Sequence, residues 1–300
     1  MRLENKRMIV TGASRGIGRV MAQFFAREGA SVVISARNEK ELKAVEEEIC
    51  SEGGDVFLKI ADMSRKDEIK DLVEYTVKQL GSVDVLVNNA GLPMFGCAID
   101  DPADFVEDRF NQVIDTNFKG YWYAARYVIP YMRKQKSGNI INISSVRGHL
   151  GLANESAYCG VKGAINMFTK ALAVEAAHDG VRVNTISPGA IQTEAVGHWI
   201  RSRYGREAQK EYAEKFGDVF EQGMLLNQPM NIVGQCEDVA HAAVFIASDE
   251  ARFITGSDLL IDGGLTSLLA EPPALDLEGL SSYYQNSREM RKWLSALDNE

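Results

Sequence analysis

Three side chains in this sequence have types and spacing suited to proton transfer: Ser145, Tyr158 and Lys162. Tyr158 and Lys162 stand four residues apart, which puts both on one face of a helix and within reach of each other. An ammonium beside a phenol favours the phenolate, so Lys162 is expected to pull the Tyr158 pKa from about 10 toward neutrality. Tyr158 is then a proton donor and acceptor near the working pH. Ser145 lies thirteen residues earlier, after the apolar run Asn139–Ile143, and offers a hydroxyl. A solvated helix face can carry the same Tyr-x-x-x-Lys pair. The upstream elements decide between the two readings.

The first of them is a short apolar run, Met8–Val10, that stops at Thr11–Gly18. A helical pattern follows, with Val20, Phe24 and Phe25 facing inward, and ends near Gly29. Ser31–Ala36 then reads as a second strand. Glycines at 12, 16 and 18 let backbone approach a pyrophosphate, and the helix start supplies unpaired N–H groups. The spacing is Gly-x-x-x-Gly-x-Gly rather than the commoner Gly-x-Gly-x-x-Gly. The second strand ends Ser35-Ala36-Arg37, where NAD sites of this kind place a carboxylate. Arg37, with Arg15 inside the loop, is suited to a 2′-phosphate, so NADP(H) is favoured over NAD(H). The alternative is that both arginines are surface residues.

Strands and helices keep alternating. Helix 39–51, strand 55–60, helix 67–80 and strand 83–87 lead to Asn88-Asn89-Ala90-Gly91. Asp62 can accept from an adenine amino group or cap the next helix. Residues 104–134 read as one long helix in which Asn117 either disturbs the turn, so that polar groups face a crevice, or is an exposed polar residue. Strand 138–143, helix 158–177, strand 181–186 with Ser187-Pro188-Gly189-Ala190 after it, and strand 258–261 complete the pattern. It predicts an α/β fold, a doubly wound parallel sheet covered on both faces.

The 300 residues carry a net charge of −9, which argues against nucleic acid or an anionic membrane as partner. Cys50, Cys97, Cys159 and Cys236 form no Cys-x-x-Cys pair, as expected of free thiols in the cytoplasm. Arg2, Glu4, Lys6 and Arg7 interrupt any signal sequence, and no apolar run approaches the ~18 residues of a membrane helix. No metal site is expected.

Taken together, Thr11–Gly18, Asn88–Gly91, Asn117, Ser145, Tyr158-x-x-x-Lys162 and Pro188-Gly189 with Thr193 resemble the classical short-chain dehydrogenase/reductase family over residues 6–264. The resemblance implies a seven-stranded Rossmann-type sheet of order 3-2-1-4-5-6-7 and a homotetramer or homodimer. It implies a catalytic set of Asn117, Ser145, Tyr158 and Lys162, with Asn117 anchoring a water behind Lys162. It implies cofactor contacts from Gly12, Ser14, Arg15, Gly16, Ile17, Gly18, Arg37, Asp62, Met63, Asn89, Tyr158, Lys162, Pro188, Gly189, Ile191 and Thr193. The expected reaction is hydride transfer between NADP(H) and a secondary alcohol or ketone. A 3-oxoacyl-[acyl-carrier-protein] reductase is the alternative, and a non-catalytic NADP-binding sensor a more distant one. Against the first alternative, His178-Asp179 is acidic where carrier-binding relatives are often basic, although Arg133, Lys134 and Lys136 can supply a patch.

Substrate choice is expected in three places. One is the loop from Ser145 to Tyr158, where Arg147 or His149 either meets a substrate carboxylate or faces solvent. The second is a lid over 193–235. There Ile200, Tyr204, Ala208, Tyr212 and Phe216 recur every fourth residue along one helix face, as a core stripe or as a cover. These aromatics, with Met224 and Leu225, suggest an apolar, bulky or cyclic substrate. The third is an extension, 265–300, beyond a domain over 1–264. It contains Pro272-Pro273, an N-cap pattern at Asn286 and Glu289, and an apolar helical face at Met290, Trp293, Leu294 and Leu297. That face is expected to dock on its own or a neighbouring subunit.

Overall fold

Runs of β-branched residues alternate with amphipathic helices from Arg7 to Ile261. In chain order the elements are β1 (Arg7–Thr11), α1 (Gly16–Arg27), β2 (Ser31–Ala36), α2 (Glu39–Ser51), β3 (Asp55–Ile60), α3 (Lys66–Leu80) and β4 (Val85–Asn88). Then come α4 (Ala103–Val113), α5 (Gly120–Gln135), β5 (Gly138–Ile143), α6 (Ser156–Ala177), β6 (Val181–Pro188), α7 (Ala195–Leu225), α8 (Cys236–Ala247) and β7 (Asp258–Ile261). The structure is a computed structural model, and it describes residues 1–92, 103–153, 155–225, 229–268, 285–286, 289–290, 292–293 and 296–297. Pro272, Pro273 and Leu294 lie outside the described residues, as do the side chains of Met224 and Leu225.

The strands form one seven-stranded sheet in the order β3-β2-β1-β4-β5-β6-β7. The pairs from β3 across to β6 are parallel. Register explains the core. Val33, Ile9, Leu86, Ile140 and Val183 stand side by side across five strands and pack in one cluster with α3, α5 and α6. The pleat turns their neighbours to the opposite face. All five are fully buried, worth about 1.5–3 kcal/mol each relative to exposure.

Two compact units divide the chain. The first, Met1–Pro188 with Cys236–Leu260, holds the glycine loop, Ser145, Tyr158 and Lys162. The second is Gly189–Gln235 with Ile261–Glu300. Within it α7 is not the single helix expected. Gly205, at φ 89° and ψ −178°, breaks it into two arms. The stripe is nevertheless inward: Ile200, Ala208, Tyr212 and Phe216 are buried. Trp293 packs on the second arm. The Trp293 ring lies 5.7 Å from that of Phe216, and its indole N–H donates to Glu211. Met290, Trp293 and Leu297 are half-buried while Glu289, Lys292 and Ala296 are exposed, which is the helical face read from the sequence.

Residues 104–134 are also corrected. The segment is α4 and α5 joined by a turn of π-helix, Ile114–Lys119, and Asn117 sits inside it. Inserted π turns leave a widened hydrogen-bond ladder and are frequent at functional sites. α8 had no counterpart in the sequence reading.

Candidate active site

The glycine loop is stapled from beneath by Asn89 and Thr11. Asn89 Nδ2 donates to the carbonyls of Thr11 (2.9 Å) and Gly12 (3.2 Å). Thr11 Oγ1 accepts from the amides of Asn89 and Ala90, at 3.0 and 3.1 Å. Gly12 has a positive φ of 66°, and a Cβ there would stand 2.7 Å from Ala90 Cα. One on Gly18 would stand 2.3 Å from the Gly12 carbonyl oxygen and 2.4 Å from Asn89 Nδ2. Both glycines are therefore demanded by packing between loop and β4, and Ser14, Arg15, Gly16 and Ile17 are left part-exposed at the start of α1. Arg15 occupies the N-cap without a side-chain cap, and the first turn holds no acid. Unpaired amides and an uncompensated helix dipole suit a phosphate group, so these residues fit a dinucleotide cofactor.

The two arginines are loosely held. Arg37 Nη1 lies 3.9 Å from Asp62 Oδ2, and Arg15 Nη1 lies 3.7 Å from Glu41 Oε2. Asp62 does not cap α3. Its Oδ1 accepts from the Ser64 amide (2.9 Å) and hydroxyl (2.8 Å), a local turn ahead of the helix. Met63 is buried beside it.

Ser145, Tyr158 and Lys162 converge at the carboxyl end of β5. The Ser145 and Tyr158 side chains hydrogen-bond each other, and Ser145 Oγ also accepts from the Arg147 amide at 3.2 Å. Lys162 Nζ lies 5.6 Å from the centre of the Tyr158 ring and donates to the Ile143 carbonyl at 2.9 Å. The same carbonyl accepts from the Tyr121 hydroxyl at 3.1 Å. Lys162 is buried, and burial lowers its pKa to about 7. Burial also pushes Tyr158 up from its ordinary value. Glu155 adds to the rise, while Ser145 and Arg147 pull back. The expected downward pull by Lys162 is thus overturned, because desolvation of the phenol dominates and the lysine is turned to a carbonyl.

Asn117 is fully buried, which removes the exposed reading. Its Oδ1 accepts from the Leu92 amide (2.8 Å) and its Nδ2 donates to the Leu92 carbonyl (3.0 Å). The side chain therefore clamps the backbone of Leu92, directly after Asn88–Gly91. The other amides support the floor: Asn88 Nδ2 donates to Asn142 Oδ1 (2.9 Å), and Asn142 Nδ2 to Thr169 Oγ1 (2.9 Å). Thr11, Asn142 and Thr169 were not among the candidate residues. Their signal, a buried polar residue in an apolar strand or helix, is visible only once burial is known.

Pro188 ends β6 in the first unit, whereas Gly189, Ile191 and Thr193 belong to the second. There Gly189 donates to the Ile261 carbonyl at 2.8 Å, and a Cβ on it would stand 2.8 Å from Asp262 Cα. Ile191 is buried and bridges to Gly234. Among the described residues no group of three or more His, Cys, Asp or Glu is placed to hold a metal, and no helix is long and apolar enough to cross a membrane.

This fold, with a glycine loop stapled to β4 and a Ser–Tyr–Lys cluster beyond β5, defines a nucleotide-dependent oxidoreductase. The chain belongs to the short-chain dehydrogenase/reductase family: residues 12–266 match the family model described as enoyl-(acyl carrier protein) reductase. It is 36% identical over 261 residues to 3-oxoacyl-[acyl-carrier-protein] reductase FabG of Staphylococcus aureus, covering 87% of this chain and 98% of that one. It is 33% identical over 264 residues to the uncharacterized oxidoreductase YxbG of Bacillus subtilis, covering 88% and 92%. Among solved structures, levodione reductase superposes with a TM-score of 0.76 at 27% identity, over 89% of this chain and all of that one.

Proposed function

We propose that this chain is an NADP(H)-dependent reductase or dehydrogenase of a secondary alcohol or ketone, with an apolar or cyclic substrate. The observation that carries the reading is the hydrogen-bonded Ser145–Tyr158 pair with Lys162 buried beside it. A bound nicotinamide cofactor would supply or accept the hydride. Ser145 and Tyr158 both donate to the substrate oxygen, where negative charge develops. Tyr158 is held protonated by burial, so at neutral pH it is an acid ready to give its proton. Lys162, at the midpoint of its titration near pH 7, can pass a proton toward it and hold a ribose hydroxyl. Asn117 fixes the backbone of Leu92 and completes the catalytic set.

In this reading Gly12, Ser14, Arg15, Gly16, Ile17 and Gly18 hold the pyrophosphate, while Asp62, Met63 and Asn89 bound the adenosine and ribose. Pro188, Gly189, Ile191 and Thr193 hold the nicotinamide end. Arg37 and Arg15 take the 2′-phosphate, for which their neighbours Asp62 and Glu41 are long-range competitors. Residues 193–235 serve as the substrate cover, braced by the tail through Trp293. The protein works in the cytoplasm as a homotetramer or homodimer, a state supported by Trp122, Met167 and Val174, which stand exposed on α5 and α6.

The second reading, a 3-oxoacyl-[acyl-carrier-protein] reductase, is favoured by the FabG relatives. Against it, Asp179 takes up Arg133 (2.7 Å) and Lys136 (3.3 Å), which blunts the basic patch an acidic carrier would need. One experiment separates the readings: titration with NADPH and NADH, then turnover of cyclic ketones against 3-oxoacyl thioesters. Tight NADPH binding, ketone turnover and a loss of about 10²–10⁴-fold in Tyr158→Phe are expected. Equal affinity for NADH sinks the arginine clamp. Preferential thioester turnover installs the second reading, and unchanged function in Tyr158→Phe marks a sensor.

A further inference from the structure

We propose that His149 is a positioning residue for Ser145, mooring the serine's loop to β7 through Asp258. The inference rests on the reading above, in which Ser145 binds the substrate oxygen. His149 Nε2 lies 2.6 Å from Asp258 Oδ2, and that oxygen also accepts from Ser187 Oγ at 2.9 Å. Asp258 is only 13% exposed at its side chain. His149 therefore faces a carboxylate of its own chain. It stands exposed on one side, but its ring nitrogen is committed to Asp258 rather than waiting for an acidic substrate.

The loop has a second mooring on its other side. Ser144 Oγ donates to the Lys162 carbonyl at 3.0 Å. Gly148 lies so close to α6 that a Cβ on it would stand 2.6 Å from Asn166 Nδ2 and 2.9 Å from the Lys162 carbonyl oxygen. Ser145 is thus suspended between α6, which also bears Tyr158 and Lys162, and the strand pair β6–β7. Asn166 joins the two moorings, its Nδ2 standing 3.0 Å from His149 Nε2. One imidazole N–H makes one strong donation, and the carboxylate is the stronger acceptor. Asn166 then supports the ring as a close neighbour while the N–H goes to Asp258. A hydroxyl that must meet an oxygen within a fraction of an ångström depends on such support, and a 1 Å displacement can cost about 10²-fold in rate.

The test uses the full chain with His149→Ala, His149→Gln and Asp258→Asn. Three quantities are read: NADPH affinity, kcat and KM for a turned-over ketone, and hydrogen exchange at the amides of Gly148, His149 and Leu150, which are bonded within the loop. His149→Ala is expected to lower kcat by about 10–100-fold, to leave NADPH affinity unchanged and to speed exchange at the three amides. His149→Gln, which keeps a donor, recovers most of the rate, and Asp258→Asn falls between. Unchanged kcat and exchange in His149→Ala overturn the proposal. So does a change confined to KM, or an equal loss in Gln and Ala, since each marks direct contact with substrate. Should the alanine variant fail to fold, the Gln and Asn variants decide by the same criteria. If the parent protein turns over no ketone, the reading of the reaction fails. Exchange then decides the mooring by itself: faster in the variants upholds it, unchanged removes it.

Discussion

Lys162 shows how burial turns an ordinary side chain into a working one. Its amine is enclosed, held by one carbonyl, and depressed to about 7. In the unfolded chain the same group titrates near 10.5. Between those values the unfolded state holds a proton the folded state sheds, so for this group stability rises with pH from about 7 to 10.5, and the cost is fully present below 7. Replacing Lys162 with Met is expected to raise Tm at pH 7 by the equivalent of about 1 kcal/mol or more. That gain should fade toward pH 10.5, and catalysis should be lost. Calorimetry across that range checks it, and a gain independent of pH would show that packing is responsible. Tyr158 and Lys162 were legible as a pair from their spacing. The sign of the tyrosine's shift was not, because desolvation depends on what the rest of the chain places around the hydroxyl.

At the scale of elements, strand and helix existence followed closely from periodicity. β5 and β7 occupy the residues expected of them, and α3 and α6 differ only at their first residues. The departures have local causes. The π turn arises where buried Asn117 bonds both polar groups of Leu92, a tertiary contact that outweighs helix propensity. The break in α7 arises at Gly205, where glycine's freedom at positive φ competes with an apolar pattern that runs straight through it. The glycine loop carries its own prediction. Gly18→Ala forces a Cβ against the Gly12 carbonyl and Asn89, so overpacking of about 1–3 kcal/mol is expected. A Tm lowered by several degrees and weaker NADPH binding should appear together in a thermal-shift titration. Intact Tm with intact binding would mean that the loop yields.

For the whole molecule, the charge balance and the sheet order were both legible: alternation predicts a parallel sheet, and the family resemblance supplies its order. The surface was not, since exposure cannot be read from sequence. On α6, Met167 (64% exposed) and Val174 (81%) stand two turns apart on one face. Trp122 on α5 is 40% exposed. Glutamate at 167 and 174 is expected to reduce assembly size, measured by light scattering, while leaving Tm of the protomer near its original value. An unchanged mass would show that Met167 and Val174 lie in no interface between copies.

The sheet order also sets a hazard in time. β1 is apolar on both faces and finds its second neighbour, β4, only after residues 12–84 have been threaded through three helices and two strands. Until Val85–Asn88 arrive, Met8, Ile9 and Val10 present an open backbone edge flanked by uncovered hydrocarbon. Pairing at that sequence distance is slow, and an unpaired apolar edge is a template for other chains. Misassembly of this protein is therefore a race between β4 and a neighbouring molecule for the same row of hydrogen bonds, and dilution or slower synthesis favours β4.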